Sequence, residues 1–165
     1  MVSQSPVRTD DLKRILFVCT GNYYRSRFAE LLFNAAAHER GLGWRATSRG
    51  TDVAGAGRWN VGPISVHARE ALEARGIPLD PELRMPLSLT ADDLAAADLV
   101  VAVCKAEHRP HLERDFPHAA PSVEYWGVED LGVTPAEDAL PAIERHVAAL
   151  LDRLSAGRTG ADPRC

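Results

Sequence analysis

Short apolar runs alternate along the chain with segments whose apolar residues recur every three or four positions. Residues 15–18 (Ile-Leu-Phe-Val) and 99–103 (Leu-Val-Val-Ala-Val) are almost wholly apolar. That is the pattern of strands buried on both faces. It predicts strands over residues 14–19 and 99–103, with shorter ones at 44–48 and 123–126. Helical spacing covers residues 25–40, which Gly41 and Gly43 end, and a second helix runs from Pro63 to about Arg75. A short helix at 90–96 has Thr90 as its N-cap, and residues 107–115 form another. The closing helix, 135–154, is apolar at Leu140, Ile143, Val147, Leu150, Leu151 and Leu154. Strands alternating with helices in this way predict an α/β fold. The expected form is a single three-layer domain with a four-stranded parallel sheet flanked by helices.

Ligands of such sheets bind beyond the carboxyl ends of the strands. Cys19, the Gly-rich loop 50–62, Cys104 and Asp130 each follow a predicted strand, so all four converge on one edge. Cys19 is the most telling of them. It is followed by Thr20-Gly21-Asn22-Tyr23-Tyr24-Arg25-Ser26, and helical spacing begins there. A loop in that place turns successive backbone N–H groups inward, and the helix N-terminus adds partial positive charge. Those conditions hold an oxyanion and stabilise a thiolate. Gly21 permits close backbone approach, and Asn22 tolerates the left-handed conformation of a tight anion loop. Arg25 can grip two oxygens at once, and Ser26, in the first helical turn, can donate to the thiolate. The spacing of Cys and Arg alone is a weak signal; the Gly-Asn pair and the serine give it meaning. Phosphomonoester cleavage needs a nucleophile, a cradle and an acid. Cys19, the N–H groups of residues 20–25 with Arg25, and Asp130 can supply these. Asp130 would then act as base on water. The nearby carboxylates Glu129 and Asp138 read equally as surface charges, and Glu129 is the next candidate for the acid.

Composition narrows the partners. The 165 residues make one domain, expected over 12–156, with residues 1–11 and 157–165 as flexible tails. A net charge of −4 argues against nucleic acid as a partner. The first residues lack the apolar core of a signal peptide, and no apolar run is long enough to span a membrane. Three cysteines without a pairing pattern point to a reducing cytoplasm. The six histidines show no metal-ligand spacing with cysteines or acids, so neither metal nor cofactor is expected.

The stretch from Val18 to Ser26 resembles the phosphate loop of the low-molecular-weight protein tyrosine phosphatases, and equally that of the thiol-linked arsenate reductases sharing their fold. Residues 46–50 (Ala-Thr-Ser-Arg-Gly), 59–62 (Trp-Asn-Val-Gly) and the pair Glu129-Asp130 are similar to the second-strand ending, variable loop and acid loop of the phosphatases. The likeness extends from about Arg14 to Leu154. It implies a hydrolase acting on phosphorylated proteins, phosphotyrosine foremost, or on small phosphomonoesters, through a phospho-cysteine at Cys19. It also implies that residues 20–26 bind inorganic phosphate or another oxyanion. Asn22 and Ser48 would support the loop, and Trp59 and Tyr23 would wall the substrate. Several positions depart from the family. Leu131, Gly132 and Val133 stand where a proline and two aromatics are usual, Tyr24 replaces a second loop cysteine, and Pro81 occupies the place of a histidine. Cys104 lies where the reductases carry a resolving cysteine and is a possible redox partner, but His111 stands where their next cysteine is expected. The alternatives to the phosphatase reading are an arsenate reductase-like oxyanion enzyme and a catalytically weak phosphate-binding module.

Overall fold

The computed structural model describes residues 11–159. Its sheet has four parallel strands in the order β2-β1-β3-β4. These are β1 (Lys13–Cys19), β2 (Trp44–Gly50), β3 (Leu99–Ala102) and β4 (Glu124–Tyr125). The helices are α1 (Arg25–Glu39), α2 (Val53–Ala56), α3 (Val66–Ala74), α4 (Ala91–Ala96), α5 (Lys105–Asp115) and α6 (Ala136–Thr159). The continuous apolar run of β1 resolves into two faces. Ile15 and Phe17 pack with Phe28, Phe33, Leu72 and Ile143 of α1, α3 and α6. Leu16 and Val18 pack on the other face with Leu112 of α5, Leu89 and Val123. Each such large apolar side chain, fully buried, contributes about 1.5–3 kcal/mol, so β1 is fixed from both sides up to the residue before the loop.

Three elements differ from expectation in ways that bear on the site. The 50–62 loop is not bare: Asp52 caps α2 by accepting from the Gly55 N–H at 3.0 Å, and a 3-10 turn follows at Gly57–Trp59. Helix α5 begins at Lys105, which places Glu107 and His108 in its first turn. Helix α6 continues to Thr159, so residues 157–159, read as tail, are helical. Residues 1–10 and 160–165 of the expected tails, with Cys165, lie outside the described residues.

Candidate active site

Cys19 ends β1, and the chain then leaves the sheet between β2 and the start of α1. Thr51 N–H donates to the Cys19 carbonyl and Asp52 N–H to that of Thr20, both at 2.9 Å, so the exit of β2 closes on the loop. A Cβ at Gly50 would lie 2.5 Å from the Thr20 carbonyl oxygen, a contact that backbone cannot yield to. Asn22 adopts φ 51°, the left-handed conformation expected of it. Among the described residues, no protein acceptor takes the backbone N–H groups of Gly21, Asn22, Tyr23 or Tyr24. Those four donors remain available to an anion.

A directional network holds this shape. Arg84 Nη1 and the Leu87 N–H both donate to Asn22 Oδ1 at 3.0 Å. That fixes the amide, whose Nδ2 donates to Ser26 Oγ at 2.9 Å and Ser48 Oγ at 2.8 Å. Ser48 in turn donates to Glu30 at 2.7 Å. Ser26 Oγ lies 2.9 Å from the Cys19 sulfur. Since it already accepts from Asn22, its own hydrogen is left for that sulfur. The orientation of one hydroxyl is thus inherited from Arg84, 62 residues from Asn22 in sequence.

Arg25 is 2% exposed, and Glu107 grips its outer edge: Nη1 donates to Oε2 at 2.9 Å and Nη2 to Oε1 at 2.7 Å. Nη1 also donates to the Val128 carbonyl at 2.9 Å. Thr20 Oγ1 donates to Glu107 as well. His108 Nδ1 accepts from the Cys104 N–H at 3.1 Å, so Nε2 carries the hydrogen and faces Thr20 Oγ1, also at 3.1 Å. Burial alone would raise the Glu107 pKa, but hydrogen bonds from His108, Arg25 and Thr20 outweigh it and hold the carboxyl well below its usual range. Burial likewise opposes the charge on Arg25, and Glu107 outweighs it there too, raising the guanidinium pKa. Burial, the largest effect on His108, lowers its pKa and favours the neutral ring.

A cavity of about 270 Å³ opens over Cys19, lined also by Gly21, Tyr23, Tyr24, Arg25, Ala56, Asn60, Ser65, Asp130 and Leu131. Asp130, 55% exposed, brings one oxygen to 3.8 Å from Arg25 Nη2. Its other carboxylate oxygen accepts from the Leu131 N–H at 2.9 Å, a bond that a proline at 131 could not make. Tyr23 donates through its hydroxyl to the Val61 carbonyl at 2.7 Å and so ties the 57–62 segment to the loop.

Of the residues singled out in the sequence, Cys19, Gly21, Tyr23, Tyr24, Arg25 and Asp130 line one cavity, while Asn22, Ser26 and Ser48 lie behind it. Trp59 is 84% exposed and outside the lining, because the 3-10 turn presents Asn60 there instead. Cys104 lines a different cavity, with Lys105, Arg109, Gly127 and Glu129. Glu107 and Arg84 were missed. Glu107 sits in a polar stretch and Arg84 between Leu83 and Met85, and nothing local marks either charge as a partner of the site.

The family model described as low molecular weight phosphotyrosine protein phosphatase matches residues 14–125, and the chain belongs to that family. The match stops short of Asp130. The chain is 38% identical over 96 residues to low molecular weight protein-tyrosine phosphatase A of Mycobacterium tuberculosis, covering 56% of this chain and 53% of that protein. It is 37% identical over 102 residues to a protein-arginine-phosphatase of Bacillus subtilis, covering 62% of each. The alignments thus span little more than half the length of these curated relatives. Among solved structures, a low molecular weight protein tyrosine phosphatase from T. tengcongensis superposes with a TM-score of 0.70 at 31% identity, covering 88% of this chain and 99% of that one.

Proposed function

We propose that the chain is a cysteine-dependent phosphatase that hydrolyses phosphomonoesters, with phosphotyrosine in proteins as its substrate, in the reducing cytoplasm that an unpaired nucleophilic thiol requires. The observation that carries this reading is the cavity itself, where Cys19, unpaired backbone N–H groups, Arg25 and Asp130 meet. Three phosphoryl oxygens would take the N–H groups of the loop and the edge of Arg25 that Glu107 leaves open. The Cys19 thiolate, steadied by Ser26, attacks phosphorus. The bond to the leaving oxygen breaks, and Asp130 supplies that oxygen with a proton. Water then attacks the phospho-cysteine, Asp130 takes up its proton, and phosphate leaves with the thiolate restored. Tyr23 and Leu131, which line the cavity, would contact the substrate's ring.

The arginine-phosphatase relative suggests phosphoarginine as the competing substrate. The arsenate reductase reading has less support, because among the described residues no second thiol lines the cavity of Cys19. The deciding experiment measures turnover of p-nitrophenyl phosphate, a phosphotyrosyl peptide, a phosphoarginyl peptide and arsenate with a thiol donor. Rapid quench and mass spectrometry then locate the phosphoryl group. Turnover of the phosphotyrosyl peptide with label on Cys19 supports the proposal. Absence of turnover, or label elsewhere, rejects it.

A further inference from the structure

Among the described residues, three buried side-chain polar atoms have no hydrogen-bond partner: Tyr24 Oη, Arg27 Nε and Thr51 Oγ1. Of these three residues, Tyr24 alone lines the cavity of Cys19. Its ring is 5% exposed, packed in the core with Phe28 and Ala68 and set edge-on to His67 at 6.3 Å between ring centres. A phenol buried without a partner is a net cost to the fold, and a phenylalanine would fill the same space without that cost. Burial first, then the charge of Asp130, push the phenol pKa up to about 12, so it keeps its proton at any working pH. Tyr24 and Asp130 line the same cavity, the one in which the leaving oxygen must stand if Asp130 is to protonate it.

We propose that Tyr24 is a second donor to the leaving group: its phenol hydrogen-bonds the oxygen that bridges phosphorus and the departing group. The proposal rests on the phosphatase reading. As the bond from phosphorus to that oxygen breaks, the electron pair moves to the oxygen and Asp130 delivers a proton. Tyr24 keeps its own proton and stabilises the charge while it is incompletely neutralised. Such a bond is worth most where negative charge develops, and least for a leaving group that carries its charge easily.

The test is Tyr24→Phe, which removes one oxygen and leaves the ring. Values of kcat/KM are measured for phenyl phosphate and p-nitrophenyl phosphate, alone and in an Asp130→Asn background, with inhibition by inorganic phosphate and the melting temperature. The expected loss is about 10- to 100-fold on phenyl phosphate and under about 3-fold on p-nitrophenyl phosphate, the scale of one charge-assisted hydrogen bond. The loss should persist in the Asp130→Asn background. Phosphate inhibition should hold, and the melting temperature should hold or rise. Wild-type kinetics on both substrates would overturn the proposal. So would equal losses on both with weaker phosphate inhibition, since the phenol would then contact the phosphoryl oxygens. A wild type without turnover would instead remove the phosphatase reading, and this proposal with it.

Discussion

Two halves of the site face each other across the cavity and are held in opposite ways. The half around Cys19 is buried and tied by side chains from four separate segments: Glu30 of α1, Ser48 of β2, Arg84, and Glu107 of α5. The half carrying Asp130 is exposed and held by its own turn. Val133 and Thr134 N–H both donate to the Asp130 carbonyl at 2.9 Å, and Leu131 N–H holds the carboxylate. The first arrangement suits a cradle, whose dipoles must already point at the phosphoryl oxygens before reaction. The second suits a group that meets leaving groups of differing shape. Substitutions in the cradle should therefore disturb binding and stability together, and substitutions in the acid loop should disturb chemistry alone.

The largest effect is expected from Cys19→Ser, with turnover below about 1% of wild type and phosphate inhibition within about 3-fold, because the cradle survives and only the nucleophile is lost. Next, Asp130→Asn should cost about 10²–10⁴-fold on phenyl phosphate and far less on p-nitrophenyl phosphate, without lowering the melting temperature. Glu107→Gln should weaken phosphate inhibition and kcat/KM by about 10- to 100-fold, equally for both substrates, because a buried guanidinium loses its ionic partner. It should also lower the melting temperature. If Asp130→Asn destabilises the protein as much as Glu107→Gln does, the contrast between the halves collapses.

The smallest effect is a pH dependence of stability, to which the cradle contributes through His108 and Glu107, and the closing helix through His146, whose pKa burial also lowers. His108 binds its proton less readily in the folded state, so its contribution is present above the ordinary histidine pKa of about 6.5 and fades as the pH falls below it. Glu107 is held ionised, so its contribution is present above about 4.5 and is lost at lower pH, as the pH falls through its depressed value. Melting temperatures should therefore decline between pH 7 and 5, and His108→Gln should flatten that decline. An unchanged slope in His108→Gln would place the responsible group elsewhere.

Legibility in the sequence followed the range of the interactions. The strand-loop-helix from Lys13 to Glu39 was readable because an apolar run, a Gly-Asn pair and a helical period are local signals. The convergence on one sheet edge followed from topology. Asn22, Ser26 and Ser48 were legible, but Glu107 and Arg84, which orient them and Arg25, escaped notice because they act over 82 and 62 positions. Their charges resemble surface until the fold buries their partners. The end of α6 was missed for a different reason: Gly157 and Thr159 are weak helix formers alone, and the helix carries them on.

The segment 84–89 has a consequence in time as well as in space. Leu87 C=O accepts from the Gly50 N–H at 2.9 Å, and the Leu89 N–H donates back to Gly50 C=O at 2.8 Å, so this irregular stretch lies clasped to the end of β2. With Arg84 and Leu87 also on Asn22, releasing the clasp would free the left-handed loop and the serine that steadies the sulfur. Amide hydrogens of Gly50, Leu87 and Leu89 should then exchange with solvent at one common rate, set by a single cooperative opening. The lifetime of a competent cradle is in that sense the lifetime of the clasp, and an anion bound in the cavity should lengthen both.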